Sequence, residues 1–213
     1  MTINKNCRFD HKVICGLVPA GSSVLDLGCG SGELLSKLIN YKDVQGLGIE
    51  KEFDQVAETI ARGVPVIHAD LDEGLAGLPD RFFDYVILEK TLQAVKRPLF
   101  VLEEMLRVGS AGIVSFPNFG HRQVVFSLLS TGKMPVTSNL PYQWYDTPNI
   151  HLFTAKDFLE WADANNVRIE KGFSWTGREI VPFKEEESAF AQEILFVVSK
   201  INVTPHTAPM MKM

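Results

Sequence analysis

Glycines stand at positions 28, 30 and 32, and Asp26 precedes the first of them in the run Asp26-Leu27-Gly28-Cys29-Gly30-Ser31-Gly32. Glycine tolerates positive φ and lets backbone N–H groups approach a ligand with no side chain in between. A turn of this composition can wrap a small cofactor in main-chain contacts. Two acids follow: Glu50, 22 positions after Gly28, and Asp70 further on. Glu50 closes the run Val44-Gln45-Gly46-Leu47-Gly48-Ile49, and Asp70-Leu71 follows Pro65-Val66-Ile67-His68-Ala69. A carboxylate at the end of a second strand is placed to accept hydrogen bonds from ribose hydroxyls. The plainer reading of Glu50 is a solvated acid at a helix start, since Lys51 and Glu52 follow it.

The elements that must position these residues are legible from periodicity. Val24, Leu25 and Leu27 form a short apolar strand, and Leu34, Leu35, Leu38 and Ile39 recur at helical spacing. A strand, glycine turn and helix at the start of an open α/β sheet is where nucleotide-like cofactors sit, above the carboxyl ends of the strands. The dinucleotide fingerprint needs a third glycine, but Glu33 occupies its place. A carboxylate there would repel a pyrophosphate, which argues against NAD and FAD.

The D-x-G-x-G-x-G form instead resembles motif I of the class I S-adenosylmethionine (SAM)-dependent methyltransferases. That resemblance implies a turn holding the methionine half of SAM, Glu50 on the ribose, Asp70 on the adenine amino group and the Leu71 backbone N–H against the ring. The expected cofactor-binding set is Asp26, Gly28, Gly30, Gly32, Glu50, Asp70 and Leu71. The expected ligand is SAM or S-adenosylhomocysteine (SAH).

Along the chain, strands and helices alternate. A helix over about 8–18 carries Phe9, Val13, Ile14, Leu17 and Val18 on one face. After the glycine turn a helix over about 53–62 places Phe53, Val56, Ala57, Ile60 and Ala61 together and stops at Gly63. Phe83 to Leu88 reads as strand four, Pro98 opens a helix with Leu99, Leu102, Met105 and Leu106 inward, and Ala111 to Phe116 reads as strand five. The βαβα rhythm predicts a mainly parallel sheet with helices on both faces.

The rhythm breaks from Pro117 to Leu152, a stretch rich in proline and aromatic residues. One helix is expected there, with Val124, Val125, Leu128 and Leu129 as a core stripe or, alternatively, a docking face. A connection this long in a compact domain is typically a lid or binding segment. Thr154-Ala155-Lys156-Asp157 reads as a capping box, with Phe153 and Phe158 as a hydrophobic staple. Val167 to Trp175 and Gln192 to Lys200 read as strands, the last antiparallel, with 184–187 a solvated turn between them. The expectation is one α/β domain over 1–203, a Rossmann-like, mostly parallel seven-stranded sheet with an insertion at 117–152 after strand five. A disordered tail is expected over 204–213.

Composition narrows the function classes. The chain has 213 residues, 46% hydrophobic and 22% charged, with a net charge of −5. A general nucleic-acid binder would more often be basic, and Lys and Arg do not cluster. Cys7, Cys15 and Cys29 show neither a disulfide framework nor metal spacing, and the five histidines are scattered, so no metal site is expected. Apolar runs are too short to span a membrane, and no signal-peptide core is visible. The cytoplasm is the default location.

Several runs carry a narrower resemblance. They are Val24-Leu25-Asp26-Leu27-Gly28-Cys29-Gly30, Gly46-Leu47-Gly48-Ile49-Glu50, Asp70-Leu71-Asp72-Glu73-Gly74-Leu75 and Thr91-Leu92-Gln93-Ala94. Two more are Ser115-Phe116-Pro117-Asn118-Phe119-Gly120-His121 and Trp144-Tyr145-Asp146-Thr147-Pro148-Asn149-Ile150-His151-Leu152. Over roughly 8–175 the sequence resembles the MetW family of methionine biosynthesis proteins. Glu89-Lys90 departs from the uncharged pair associated with that family. The resemblance implies an accessory or activating partner of homoserine O-acyltransferase, acetyl or succinyl. The alternative is an autonomous SAM-dependent methyltransferase acting on a small molecule.

Methyl transfer needs little from the protein beyond alignment, and a base only where the acceptor must lose a proton. Glu89, His121, Tyr145 and His151 are the residues expected near such a site, with catalytic roles unassigned. The plainer reading of His151 is a histidine that orders the lid. No nucleophile elbow is present, so the chain itself is not expected to be the acyltransferase.

Overall fold

The computed structural model describes residues 8–201. The tail expected over 204–213 lies outside the described residues. The elements run α1 (Phe9–Leu17), β1 (Ser23–Leu27), α2 (Glu33–Lys42), β2 (Gln45–Glu50), α3 (Phe53–Ala61), β3 (Val66–His68), β4 (Phe83–Glu89), α4 (Pro98–Val108), β5 (Gly109–Pro117), α5 (Arg122–Thr131), α6 (Ala155–Ala164), β6 (Val167–Trp175), β7 (Ile180–Pro182) and β8 (Glu193–Lys200).

One sheet holds all eight strands in the order β3-β2-β1-β4-β5-β8-β6-β7. The pairs among β1 to β5 are parallel, whereas β8 inserts antiparallel between β5 and β6. The eighth strand is the departure from the seven expected. Ile180–Pro182 folds back on Phe173–Trp175 as a short antiparallel edge. The expected polar turn at 184–187 starts a short 3-10 turn at Glu185–Phe190.

Two hydrophobic layers flank the sheet. On one side Leu25, Leu27, Val86, Met105, Phe116, Phe158 and Phe196 pack together, and on the other Ile14, Val24, Leu35, Leu38, Ile87, Ile113 and Leu195 do so. The capping box at α6 is complete, with the Thr154 side chain accepting from the Asp157 amide and Asp157 returning to the Thr154 amide. Phe153 and Phe158 meet on Phe116, with ring centroids 4.7 and 5.3 Å from it.

Three expected faces are corrected. In α3 the buried residues are Val56 and Thr59, while Phe53 and Ile60 stand in solvent. Gly32, with φ of 72°, explains Thr59, because any Cβ on that glycine would sit 2.8 Å from the Thr59 methyl. In α4, Leu99 is exposed and Val101 takes the inward place. In α5 only Val124 is buried, so the stripe is not core.

Candidate functional site

Strand β1 has β2 on one side and β4 on the other, so the chain winds away in both directions from it. Ligands of open α/β sheets bind at such a switch point, outside the carboxyl ends of the strands. A cavity of about 500 Å³ opens there, lined by Asp26, Gly28, Gly30, Glu89, Thr91 and Gln93 among others. A smaller one of about 140 Å³ adjoins it, sharing Gly28 and Thr91 and lined by Glu50, Asp70 and Leu71. All seven residues expected to hold the cofactor except Gly32 line one of these two cavities. Gly32 instead starts α2 behind the turn.

The turn is built tightly. Gly28 has φ of 74°, and a Cβ there would meet the Thr91 Oγ1 at 2.7 Å. The Gly28 and Cys29 amides donate to the Ile49 carbonyl at 2.8 and 3.1 Å, tying the turn to β2. The Gly30 amide donates to Glu50 Oε2 at 2.9 Å, while Oε1 accepts from the amides of Lys51 and Glu52. Glu50 is therefore a fixed carboxylate, and Oε2, which accepts a single amide, keeps lone-pair capacity for a hydroxyl. Asp70 caps the turn at Leu71–Glu73, accepting from the Asp72 amide at 2.9 Å.

Asp26 is different. It is 2% exposed and its Oδ1 has no hydrogen-bond partner among the described residues. Burial raises its pKa well above the usual carboxylate range, and the charges of Glu89 and Glu50 raise it further. Burial, with Asp26 and Glu50, also pushes the Cys29 thiol up to about 12, which keeps it protonated and inert as a nucleophile.

An ion network built on the buried Asp10, His11 and Glu193 forms the wall beside Asp26. The Arg8 guanidinium bonds Asp10 at 2.8 Å and also Glu89. Lys90 Nζ lies 2.8 Å from Glu193 and 3.5 Å from Asp10. His11 Nε2 lies 3.3 Å from the second oxygen of Glu89, and Lys37 Nζ sits 3.1 Å from His11 Nδ1. Because lysine only donates, Nδ1 accepts and Nε2 carries the proton toward Glu89. Burial opposes ionisation of Asp10, but the bond from Arg8 and the charge of Lys90 overcome it and hold its pKa far below the ordinary value. Asp10, His11 and Glu89 bring ligand-type atoms within 4.8 Å of one another. Arg8 and Lys90 already supply the positive charge a metal would bring.

Of the four residues expected near a catalytic centre, the cavity brings in Glu89 alone. His121 starts α5 and faces a separate shallow surface with Arg122 and Phe126; burial, then Arg122, lowers its pKa. Tyr145 is 70% exposed and stacks edge-on with Trp144. The His151 amide donates to the Gln93 carbonyl at 3.0 Å, and its ring lines neither cavity. The insertion does roof the larger cavity, through Ser138, Asn139, Pro141, Tyr142, Pro148 and Asn149. Asp10, His11, Gln93, Asn139 and Glu193 were not singled out by sequence reasoning. The one local signal was Asp10-His11 inside the apolar face of α1, flanked by Phe9 and Val13.

This strand order, with the glycine turn at its switch point, defines a Rossmann-like protein of the class I methyltransferase fold. Solved structures agree. A SAM-dependent methyltransferase of Thermotoga maritima matches with a TM-score of 0.67 and 17% identity, over 90% of this chain and 87% of that one. A methyltransferase bound to the Trm112 activator of Haloferax volcanii matches with a TM-score of 0.65 and 16% identity, over 88% and 87%. The [4+2]-cyclase SpnF has a TM-score of 0.63 and 16% identity, over 89% and 80%, so this fold is not confined to one chemistry.

The family model of the methionine biosynthesis protein MetW matches residues 8–198, and the chain belongs to that family. A bifunctional methionine biosynthesis protein MetXA/MetW of Rhodopirellula baltica is 38% identical over 185 residues. That alignment covers 81% of this chain but 30% of the relative.

Proposed function

We propose that this chain is a SAM-binding accessory subunit that docks on homoserine O-acyltransferase, acetyl or succinyl, and activates it. The apolar surface of the insertion carries the reading. Of the 19 large apolar side chains that stand exposed among the described residues, 11 lie between 122 and 152. Phe126 is 70% exposed, Leu129 83% and Trp144 75%. A concentration of this kind marks a protein–protein contact. The bifunctional relative joins a MetW part to a MetXA part in one chain, which supports the acyltransferase as the other side.

The cleft fits SAM. Its two adjoining cavities suit a ligand with an amino-acid half and a nucleoside half. The unpartnered Asp26 oxygen, beside Glu50 and Glu89, suits a cationic one. Gly28, Gly30 and Asp26 would hold the methionine half, Glu50 the ribose, and Asp70 with Leu71 the adenine. Gly32 sets the turn against Thr59.

A second reading, an autonomous small-molecule methyltransferase, is favoured by Glu89, a carboxylate fixed on both oxygens at the cavity wall. Bound SAM supplies a methyl group already activated on a sulfonium. The chain would orient donor and acceptor and exclude water. The test is to titrate the chain into homoserine O-acyltransferase from the same organism and follow acyl transfer. A saturable rise in rate is expected. No rise with both proteins folded, together with a methylated product from SAM and cell extract, would replace the first reading by the second.

A further inference from the structure

The cleft has two walls, and only one belongs to the proposed cofactor. The glycine turn, Glu50, Asp70 and Leu71 come from β1, β2 and the segment after β3. The other wall comes from the segment after β4 and from the insertion. It holds two polar atoms that find no hydrogen-bond partner among the described residues, Gln93 Oε1 and Asn139 Nδ2. Gln93 is 4% exposed and lines the larger cavity together with Asn139. Its amide is oriented by the fold, because Nε2 donates to the Lys90 carbonyl at 2.6 Å and leaves the carbonyl oxygen as the open end. A buried acceptor left unpaired costs free energy that a ligand donor would recover.

We infer that this wall is a second binding site, for a small molecule carrying a primary ammonium and a carboxylate or hydroxyl oxygen, of the free amino acid class. The ammonium would bond Gln93 Oε1 near the Glu89 carboxylate, and the oxygen would accept from Asn139 Nδ2. The sign of the charge follows from the wall. Arg8 is engaged by Asp10 and Glu89, and Lys90 by Glu193, so the nearby cations already have anionic partners. With Asp26 taken by SAM on the first wall, the groups left open on the second are one acceptor, Gln93, and one donor, Asn139. A ligand with only anionic groups would leave Gln93 Oε1 unpaired.

This site deepens the proposed function, since it assumes that the first wall is filled by SAM. The experiment therefore tests the walls separately. SAH binding to the full chain is measured by calorimetry. L-amino acids are then titrated one at a time, with and without saturating SAH, beside their N-acetyl derivatives. Binding of at least one amino acid to the SAH-saturated chain is expected, with no binding of its N-acetyl form. Gln93→Leu and, as a second probe on the roof, Asn139→Ala should each weaken that amino acid about tenfold or more and leave SAH affinity within about twofold. If SAH binds and no amino acid does, the second site is overturned and the cofactor reading stands. If SAH fails to bind, the cofactor reading falls. The amino-acid titration without SAH then decides this site alone: binding that depends on Gln93 or Asn139 supports it, and no binding, or binding indifferent to both, overturns it.

Discussion

Around the cleft, Asp10, His11, Asp26, Glu50 and Glu193 are buried in the fold, whereas across the insertion Phe126, Leu129, Trp144 and Tyr145 stand in solvent. Both regions reverse the usual placement of charge and hydrocarbon. In the first, nearly every group has a partner inside the chain: Arg8 for Asp10 and Glu89, Lys90 for Glu193, backbone amides for Glu50. Among the described residues that line the larger cavity, Asp26, Gln93 and Asn139 keep open atoms that small ligands would close. The insertion has no comparable internal solution. Its α5 buries one apolar residue, Val124, and presents the rest outward. On the proposed function, what closes that surface is another protein. The contrast separates a region whose substitutions are felt by the fold from one whose substitutions are felt by a partner.

The largest effect on stability should come from the ion network. Asp10→Asn removes the fully buried carboxylate that Arg8 and Lys90 share, though each keeps a second anion, Glu89 or Glu193, and should cost about 2–3 kcal/mol in urea unfolding. The pH dependence has a definite sign. The Asp10 pKa is depressed on folding, so its contribution is present above the ordinary carboxylate value and is lost as pH falls through that value toward the folded one. Wild type should weaken below about pH 4, and the variant should weaken less over that window.

Gly28→Ala comes next. It forces a side chain into a left-handed turn against Thr91 and should cost about 1–3 kcal/mol, with SAM binding lost in calorimetry. Asp26→Asn should act in the opposite direction on stability. The Asp26 pKa is raised on folding, so its charge destabilises increasingly as pH rises above the ordinary value. The variant should be more stable than wild type at pH 7, by on the order of 1 kcal/mol, while binding SAM more weakly.

The smallest effect on the fold should come from the insertion. Phe126→Asp and Leu129→Asp should change unfolding by no more than about 0.5 kcal/mol, yet abolish the rise in acyltransferase rate. A loss of several kcal/mol in these variants would show that the two regions are not distinct.

Much of the frame was written in local pattern. The glycine run, the strand-ending acids and the βαβ rhythm place Asp26, Gly28, Glu50 and Asp70 around one cleft because each depends on its own strand and turn. What was not legible needed distant parts of the chain. Asp10, Glu89 and Glu193 meet from α1, β4 and β8, and no spacing in the sequence brings them together. The misjudged faces of α3 and α4 have a related cause. Periodicity identifies an apolar stripe, but which part of the stripe meets the sheet depends on how the helix lies. Phe53, for instance, packs edge-on against His68 at the surface rather than entering the core. Trp144-Tyr145 and His151 were drawn toward the cleft because they lie in its roof. Each roof segment has an inner and an outer side, and their sequence does not tell which.

One small feature ties the two regions together. The backbone carbonyl of Gln93 accepts the amides of both Ile150 and His151, at 2.9 and 3.0 Å, and so fixes the end of the insertion to the residue whose side chain faces the cleft. A ligand that moves Gln93 also moves the point where the outer apolar surface is anchored. Occupancy of the cleft and docking at the insertion would then be thermodynamically coupled. Whatever factor a bound small molecule adds to the partner's affinity, the partner must return to the small molecule. On the proposed function, the docked enzyme would read the bound small molecule through a single peptide carbonyl.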